Sequence, residues 1–446
     1  MQPMIPTQEQ ETDILRIMEE PTKAALIGSE MGQGKTLTAV EVATRLDVKT
    51  IVVICPLSVR VNWERTFARQ GNLLDQRRID GTKKGKAAWE MLAHNEPGIY
   101  ILGREFFRTK DWSKIKPDMV IFDEVHAVQN RKSIGFRKLK LLKPTWKLAL
   151  SGTPAGNKFQ GMWSITRWLW PNIIDRSFWR WVTDWARSEE DYFSGIKILG
   201  EREPGAFVSS LPCYVRREAN LETEYVQEIR YVELTPAQRK LYEQMEKDSL
   251  MWLEENPAVA EVPIVQRIRL RQVTLGVPYI NEYDEVDFNL DCKSSKIDAL
   301  NDIIKDMDDD EPLLVLCESA KFVKVVAHRL GDNAREWSGD VSHAERDRIK
   351  QDFIAGKFRF LVATIPSIAE GVDGLQEVCN HVVWLSQSDN GLLNEQAAAR
   401  LHRTGQRRHV YSWVIQAENT YDSGVFNNLA LQKRSMKASL TSKEAL

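Results

Sequence analysis

The stretch Gly28-Ser29-Glu30-Met31-Gly32-Gln33-Gly34-Lys35-Thr36 constrains this chain more than any other. The apolar run Ala24-Ala25-Leu26-Ile27 before it has the character of a buried strand, and Leu37 to Leu46 after it carries apolar residues at helical spacing. Strand, glycine loop, helix is the order a phosphate-binding loop requires. Glycines let backbone N–H groups close around an anion, and a helix starting at or just before Lys35 adds its positive dipole end at the same point. Lys35 is then placed to reach β- and γ-phosphates, and the Thr36 hydroxyl to ligate Mg²⁺. Ser29 departs from the generic pattern, standing where a first glycine is usual.

At 446 residues the chain exceeds one compact core of ordinary size, which predicts two domains. Five cysteines (Cys55, Cys213, Cys292, Cys317, Cys379) stand without paired spacing, which argues against zinc or a disulfide framework and fits a reducing compartment. The sequence begins without the pattern of a secretion signal and has no apolar run of membrane-spanning length, so a cytoplasmic protein with no membrane partner is expected. The net charge of −2 conceals unevenness: Arg131 to Lys147 holds seven basic residues and no acid, whereas Glu282 to Glu311 holds twelve acids against three lysines. A polyanion would therefore be gripped locally, although a basic run taken by itself reads first as the solvated face of a helix.

Along the first half, Ile51 to Cys55 reads as a buried strand, Val59 to Ala68 as a helix with Trp63 and Phe67 on one face, and Gly98 to Leu102 as a second strand. Met119 to Phe122 reads as a strand leading into Asp123-Glu124-Val125-His126. Two acids at the carboxyl end of a buried strand are what ATP hydrolysis needs, with Asp123 on Mg²⁺ and Glu124 orienting and deprotonating the attacking water. Leu148 to Leu150 and the turn Ser151-Gly152-Thr153-Pro154 follow. Between Met162 and Ala186 lie six tryptophans, whose mostly three- and four-residue spacings favour a helical subdomain with a buried aromatic face over a base-stacking platform. Gln8, in Met4-Ile5-Pro6-Thr7-Gln8, has an amide suited to an adenine edge; a frayed terminal glutamine is the equal alternative.

The second half repeats the alternation. Strands are expected at Tyr231 to Leu234, Leu313 to Cys317, Phe360 to Thr364 and His381 to Leu385, with Glu336-Trp337 standing before Ser338-Gly339-Asp340. Helices are expected at Pro236 to Met245, Gln266 to Val273, Ala320 to Leu330, His343 to Ile354 and Leu392 to Arg403. Such alternation implies a parallel sheet covered on both faces. The acidic stretch Asp306 to Glu311 lacks the glycine and spacing of a calcium loop and reads as a solvated loop.

This series of stretches resembles the Swi/Snf family of superfamily-two ATP-dependent DNA translocases over nearly the entire chain. The residues carrying the resemblance are Met4 to Gln8, Glu30 to Thr36, Cys55-Pro56-Leu57-Ser58 with Asn62-Trp63, Asp123 to His126, Ser151 to Pro154, Arg216-Arg217, Trp337-Ser338-Gly339 and Gln396 to Gln406. The last is the most specific, and its family counterpart is a helix presenting two arginines to ATP. The resemblance implies an α/β chain of two RecA-like lobes with parallel sheets, the first at 1–225 with a Trp-rich helical insertion at about 159–222, the second at 226–446.

The resemblance also implies ATP and Mg²⁺ as cofactors and double-stranded DNA as partner, with other DNA-bound proteins as targets. It places Gln8, Gly32, Gly34, Lys35 and Thr36 on the nucleotide, Asp123 and Glu124 in catalysis, and Arg400 and Arg403 as arginine fingers. His126, Ser151, Gly152, Thr153 and Gln396 would couple hydrolysis to movement. Pro56, Ser58, Arg104, Ser338, Gly339 and Thr364 would contact phosphates without sequence preference. Three departures stand out: Gly103 replaces a hydroxyl residue, Gly391 follows Asn390 where proline is usual, and Ala369-Glu370-Gly371-Val372-Asp373 looks like the DEAD-box element whose aspartate touches the ribose, which puts Gly371 and Asp373 beside the nucleotide.

The chain ends about forty residues after Gln406, so a bare monomeric motor is expected, with Lys433, Arg434, Lys437 and Lys443 in a solvated tail. The reading is an ATP hydrolase that moves along duplex DNA without parting the strands. A strand-separating DNA or RNA helicase is the alternative, and an ATP-gated nucleic-acid clamp a more distant one.

Overall fold

A computed structural model describes residues 3–156, 158–191, 195–255, 264–369, 372–425, 429 and 440. The chain divides into two compact units, the first made by residues 1–191 and 195–219 with Leu440, the second by 220–431.

The first unit is built on a sheet of seven strands: β1 (Ala24–Ile27), β2 (Thr50–Cys55), β3 (Gln76–Ile79), β4 (Gly98–Gly103), β5 (Met119–Asp123), β6 (Trp146–Leu150) and, after the antiparallel hairpin β7 (Ala186–Asp191) and β8 (Gly195–Glu201), β9 (Tyr214–Val215). The order is β3-β4-β2-β5-β6-β1-β9, and every pairing is parallel. Parallel strands need crossovers, and helices such as Lys35–Arg45, Arg60–Arg69 and Lys83–Ala93 supply them. With both faces covered, central strands lose their alternation, and every residue of β1, β2, β4 and β5 is buried. Each such Val, Ile or Leu contributes roughly 1.5–3 kcal/mol, so the centre of the sheet is the rigid part of the unit.

The tryptophans after β6 form a core. Trp163, Trp168, Trp170 and Trp181 are buried on the helices Gly161–Leu169 and Phe178–Trp185 or directly after the first, and Trp181 packs 5.1 Å from both Phe159 and Phe207. Trp179 is exposed. Lys147 of β6 ties this aromatic layer to the sheet, donating from Nζ to the Trp168 and Leu169 carbonyls at 2.9 and 3.3 Å. A cation at a helix carboxyl end meets the negative pole of the dipole. Burial lowers the pKa of this ammonium to about 8, with Arg167 adding to the effect.

The second unit has a six-stranded parallel sheet of β10 (Tyr225–Val232), β13 (Leu313–Cys317), β14 (Ala334–Trp337), β15 (Phe360–Thr364), β16 (His381–Trp384) and β17 (Val410–Ala417), ordered β10-β17-β16-β13-β15-β14. A small antiparallel pair, β11 (Pro278–Ile280) and β12 (Val286–Phe288), lies beside it. Leu313, Val315 and Cys317 belong to the core on one face and Leu314 and Leu316 to that on the other, as the period of two requires. Lys296 is fully buried, and its ammonium donates to the Leu385 carbonyl at 2.7 Å and pairs with Asp422. Both units are RecA-like lobes in architecture.

Two expected elements are corrected. The strand expected at Tyr231 to Leu234 lies at Tyr225–Val232, because its ladder with β17 spans that full length. The helix expected over Leu392 to Arg403 is Gly391–Ala398, capped at Ala399, so Arg400 and Arg403 sit in the turns beyond it.

Candidate active site

The carboxyl ends of the parallel strands gather the polar residues of the first unit, where ligands bind in open α/β sheets. From β1 the chain enters the glycine loop. Gly32 and Gly34 take φ of +78° and +74°, conformations that L side chains rarely adopt, and Gly34 precedes the helix Lys35–Arg45. Lys35 Nζ donates to the carbonyls of Ser29 and Glu30 at 2.9 and 3.1 Å, which sets the ammonium inside the loop. Thr36 follows in the first turn of the helix.

The loop is braced from β9. The N–H groups of Gly28 and Glu30 donate to the carbonyls of Val215 and Arg217 at 2.8 and 2.9 Å, and the Arg217 N–H donates to Ser29 Oγ at 3.1 Å. Ser29 is fully buried, and that hydrogen bond is the physical reason for a serine in place of the usual glycine. The Arg217 guanidinium donates to the Gln33 carbonyl and to Thr38 Oγ1 at 2.9 and 3.3 Å and is paired with Asp13, while Arg216 lies 3.3 Å from the Glu30 carboxylate. Gln10 also reaches the loop, from Nε2 to the Gln33 carbonyl at 3.3 Å. Gln8 begins the helix Gln8–Glu19 and is exposed.

Two strands from β1 lies β5, ending in Asp123. Its Oδ2 accepts from the Trp63 indole N–H at 3.0 Å and its Oδ1 from the Glu124 N–H at 2.9 Å. Burial raises the Asp123 pKa to about 6; the neighbouring Glu124 adds to the rise, and Trp63 and Lys35 oppose it. Glu124 has φ +52° and ψ +52°, a left-handed conformation costly for a side chain with Cβ and characteristic of functional turns. His126 Nδ1 stands 3.1 Å from Glu124 Oε2 and 3.1 Å from Ser151 Oγ, which in turn accepts from the Thr153 N–H at 3.2 Å. A polar chain thus runs from the β5 acid to the turn after β6. Gly152 adjoins the loop: a Cβ there would lie 3.7 Å from Lys35 Nζ.

The residues expected to contact phosphates fall at adjacent strand ends in each unit. Pro56 and Ser58 follow β2, and Arg104 follows β4, its ladder neighbour. A Cβ at Gly103 would come within 2.4 Å of the end of the half-exposed Leu57 side chain, so a side chain there requires that leucine to turn aside. In the second unit Ser338 and Gly339 follow β14, and Thr364 ends β15 beside it. The Ser338 hydroxyl is buried with no hydrogen-bond partner among the described residues, and Thr364 donates to Ser367 Oγ at 2.7 Å.

Asp373 gathers the two arginines of the second unit: Arg403 donates to its Oδ1, and Arg400 Nη1 lies 3.5 Å from the same oxygen. Partial burial pushes the Asp373 carboxyl up, and the Arg403 and Arg400 guanidiniums outweigh it, so its pKa lies below the ordinary value. Arg400 Nε is further fixed by the Ile368 carbonyl at 3.2 Å. Gln396 is buried on the preceding helix. Gly391 opens that helix, the first helical position that proline favours, so glycine there keeps the same geometry. Gly371 and the lysines and arginine at 433, 434, 437 and 443 lie outside the described residues.

Sequence reasoning did not assign Arg217, Trp63 or Gln10 to the site. The pairing Arg216-Arg217 and the motif residue Trp63 were visible as signals, whereas their contacts join positions far apart in sequence.

A phosphate loop after β1, an acidic pair after β5 and a second parallel lobe bearing paired arginines define a helicase-like P-loop protein. More narrowly, the chain belongs to the SNF2 family: residues 8–274 match the SNF2-related domain and residues 295–405 the helicase conserved C-terminal domain. It is 23% identical over 431 residues to an uncharacterized ATP-dependent helicase, MG018, of Mycoplasma genitalium, covering 92% of this chain and 40% of that protein. To the ISWI chromatin-remodeling complex ATPase ISW1 of Saccharomyces cerevisiae it is 23% identical over 442 residues, covering 92% and 38%. A Bacillus subtilis protein, the uncharacterized ATP-dependent helicase YqhH, is 22% identical over 443 residues, covering 93% and 76%. The chain spans less than half the length of the Mycoplasma genitalium and Saccharomyces cerevisiae relatives, 40% and 38% of them. Among solved structures, the Sulfolobus solfataricus SWI2/SNF2 ATPase core in complex with dsDNA is similar with a TM-score of 0.43 and 18% identity, covering 98% of this chain and 94% of that one. No helix among the described residues is long and apolar enough to cross a membrane.

Proposed function

We propose that this chain hydrolyses ATP under stimulation by double-stranded DNA and uses the hydrolysis to move along the duplex without separating its strands, displacing or repositioning what is bound there. The observation that carries the reading is the polar chain in the first unit: the loop lysine, the Asp123–Glu124 pair and the His126–Ser151–Thr153 contacts stand along one sheet edge.

In this reading Lys35 leaves the Ser29 and Glu30 carbonyls to hold the β- and γ-phosphates, while the loop N–H groups close around them. Glu124 orients the attacking water and takes its proton. A buried carboxyl crowded by a second acid fits a divalent cation, and Thr36 with Asp123 would hold Mg²⁺, whose charge offsets that building on the phosphates. His126 senses the state of Glu124 and passes it to Ser151 and Thr153 through the contacts on both sides of its Nδ1. Arg400 and Arg403 act as arginine fingers, exchanging Asp373 for phosphate oxygens.

The groups at the strand ends, Pro56, Ser58, Arg104, Ser338, Gly339 and Thr364, grip phosphates, with the unpartnered Ser338 hydroxyl as the clearest donor in waiting. The test is ATP turnover compared with duplex DNA, single-stranded DNA and RNA, alongside a strand-displacement assay on a tailed duplex. Stimulation by duplex with no displacement is expected. Stimulation by single strands alone, with efficient displacement, would replace this reading with a strand-separating helicase.

A further inference from the structure

At its β10 end the second sheet has an edge eight residues long that pairs with no other strand among the described residues. The Val410 N–H donates to the Glu224 carbonyl at 2.8 Å and the Glu418 N–H to the Val232 carbonyl at 2.9 Å, so the parallel ladder turns the even-numbered residues' backbone groups toward β17. Those of Tyr225, Gln227, Ile229 and Tyr231 face away from it. No backbone hydrogen bond joins them to a described residue. Edge strands are usually blunted by proline, lysine, a bulge or shortness. This one has none of these: its register runs unbroken from Tyr225 to Val232, with Val226 44% and Tyr231 56% exposed.

Beside that edge, on the face to which Arg230 points, is a cavity of about 270 Å³. It exists because the helix Ser295–Lys305 ends at Asp306, before it has covered the amino ends of β16 and β17. Tyr411 and Trp413 alternate on β17, and His381 is the ladder partner of Tyr411, so three rings share one face. The His381 ring lies 5.5 Å from Tyr411 and 5.8 Å from Trp413, with interplanar angles of 15° and 12°. His381 is 6% exposed, and its Nδ1 is buried with no hydrogen-bond partner among the described residues. Its Nε2 is 3.4 Å from the Glu311 carboxylate, which places the ring proton there and leaves Nδ1 as an acceptor. Buried acceptors in folded proteins are nearly always satisfied, so this one marks a place for an N–H donor.

The charge around the cavity selects the donor. Asp306, Asp308 and Glu311 line it with Arg230; Arg408 lies 3.7 Å from the Glu311 carboxylate and Arg359 donates to the Glu311 and Asp308 carbonyls, so Asp306 and Asp308, with Glu222, Glu224, Glu228 and Glu233 that flank or lie on β10, carry the negative balance. A polyanion is disfavoured at such a rim, whereas a cationic side chain entering on the β10 side, away from Arg408 and Arg359, meets Asp306, Asp308 and Glu228 for its charge, ring faces for a guanidinium or ammonium, and Nδ1 for one of its protons.

We propose that the β10 edge and this pocket together dock an extended, basic segment of a partner protein, which adds a seventh strand to the sheet and lodges one arginine or lysine among His381, Tyr411 and Trp413. Backbone hydrogen bonds to an exposed edge provide affinity in this mode, and a side-chain pocket provides selection.

The test uses the full chain and two labelled decapeptides, one alternating arginine with valine and one alternating glutamate with valine, followed by fluorescence anisotropy and amide hydrogen exchange. Saturable binding of the arginine peptide alone is expected, with new protection at Gln227 and Ile229. Gln227→Pro removes one outward N–H at an edge position that tolerates proline, and should weaken binding about tenfold or more while circular dichroism stays unchanged. Charge reversal by Glu228→Lys with Asp308→Lys, both at exposed side chains, should do the same. No saturable binding of the arginine peptide, equal binding of the glutamate peptide, or indifference to both sets of substitutions overturns the proposal. Displacement of the peptide by duplex DNA would show a nucleic-acid surface instead. Protection of the same amides on self-association without peptide would assign the edge to a second copy of the chain.

Discussion

Replacing Trp63 by phenylalanine keeps a ring against the core and removes the one side-chain donor to Asp123 among the described residues. A hydrogen bond to a charged acceptor contributes about 1.5–3 kcal/mol. Since about 1.4 kcal/mol corresponds to one pKa unit, the loss raises the carboxyl by about one to two units. From a starting value of about 6, the Trp63→Phe carboxyl then titrates one to two units higher, near or above neutrality. The ionised form is the one that holds a cation, so activity falls as pH drops through this pKa. At pH 7 about one tenth of the carboxyls are protonated in the natural protein and about half to nine tenths in the variant, which lowers turnover about two- to tenfold at limiting Mg²⁺. At a pH about two units higher most of the loss is regained. The assay is a pH profile of DNA-stimulated ATP hydrolysis, which should show the acid limb displaced upward. A uniform loss at every pH, or an acid limb left where it was, would refute the argument, because either outcome means the indole serves packing and does not tune the acid.

Three further outcomes are expected. Arg400→Ala or Arg403→Ala should lower kcat on the order of 10³-fold with nucleotide binding largely kept, and unchanged turnover in either variant would remove that residue from the finger role. Lys296→Ala strands the buried Asp422 carboxylate and should cost the second unit about 3–5 kcal/mol in urea unfolding; a change within experimental scatter would mean the pair is not desolvated. Ser338→Ala deletes a buried hydroxyl that satisfies nothing in the described protein, so stability should hold or rise while duplex affinity drops, and retained affinity would discount the contact.

Much of the fold was legible because parallel strands buried on both faces are continuous apolar runs: Ile51 to Cys55, Leu313 to Cys317 and Phe360 to Thr364 needed no tertiary information. β3, reading Gln76-Arg77-Arg78-Ile79, was not legible, since an edge strand keeps its polar residues in water. The hairpin strand β7, reading Ala186-Arg187-Ser188-Glu189-Glu190-Asp191, is similarly polar and is held by its ladder with β8. The Leu392 to Arg403 helix was read too long because Ala397-Ala398-Ala399 favours helix locally. In the folded unit, Arg400 instead turns back to the Ile368 carbonyl and Asp373. At the site, residue types announced the loop and the acidic pair, while the brace from Arg217 depends on contacts across 179 to 188 residues of sequence, to which no local pattern points.

That brace also fixes when the loop can mature. β1 is made early, yet the strand that flanks it comes roughly 190 residues later, the Arg216 guanidinium meeting the Gly28 carbonyl across 188 positions. A ribosome adding 5–20 residues per second takes on the order of 10–40 s to cover that distance. Throughout that interval the nascent cradle has its glycines and its lysine but not its outer rib, so competence to grip a nucleotide arrives only when the first lobe is almost completely synthesised.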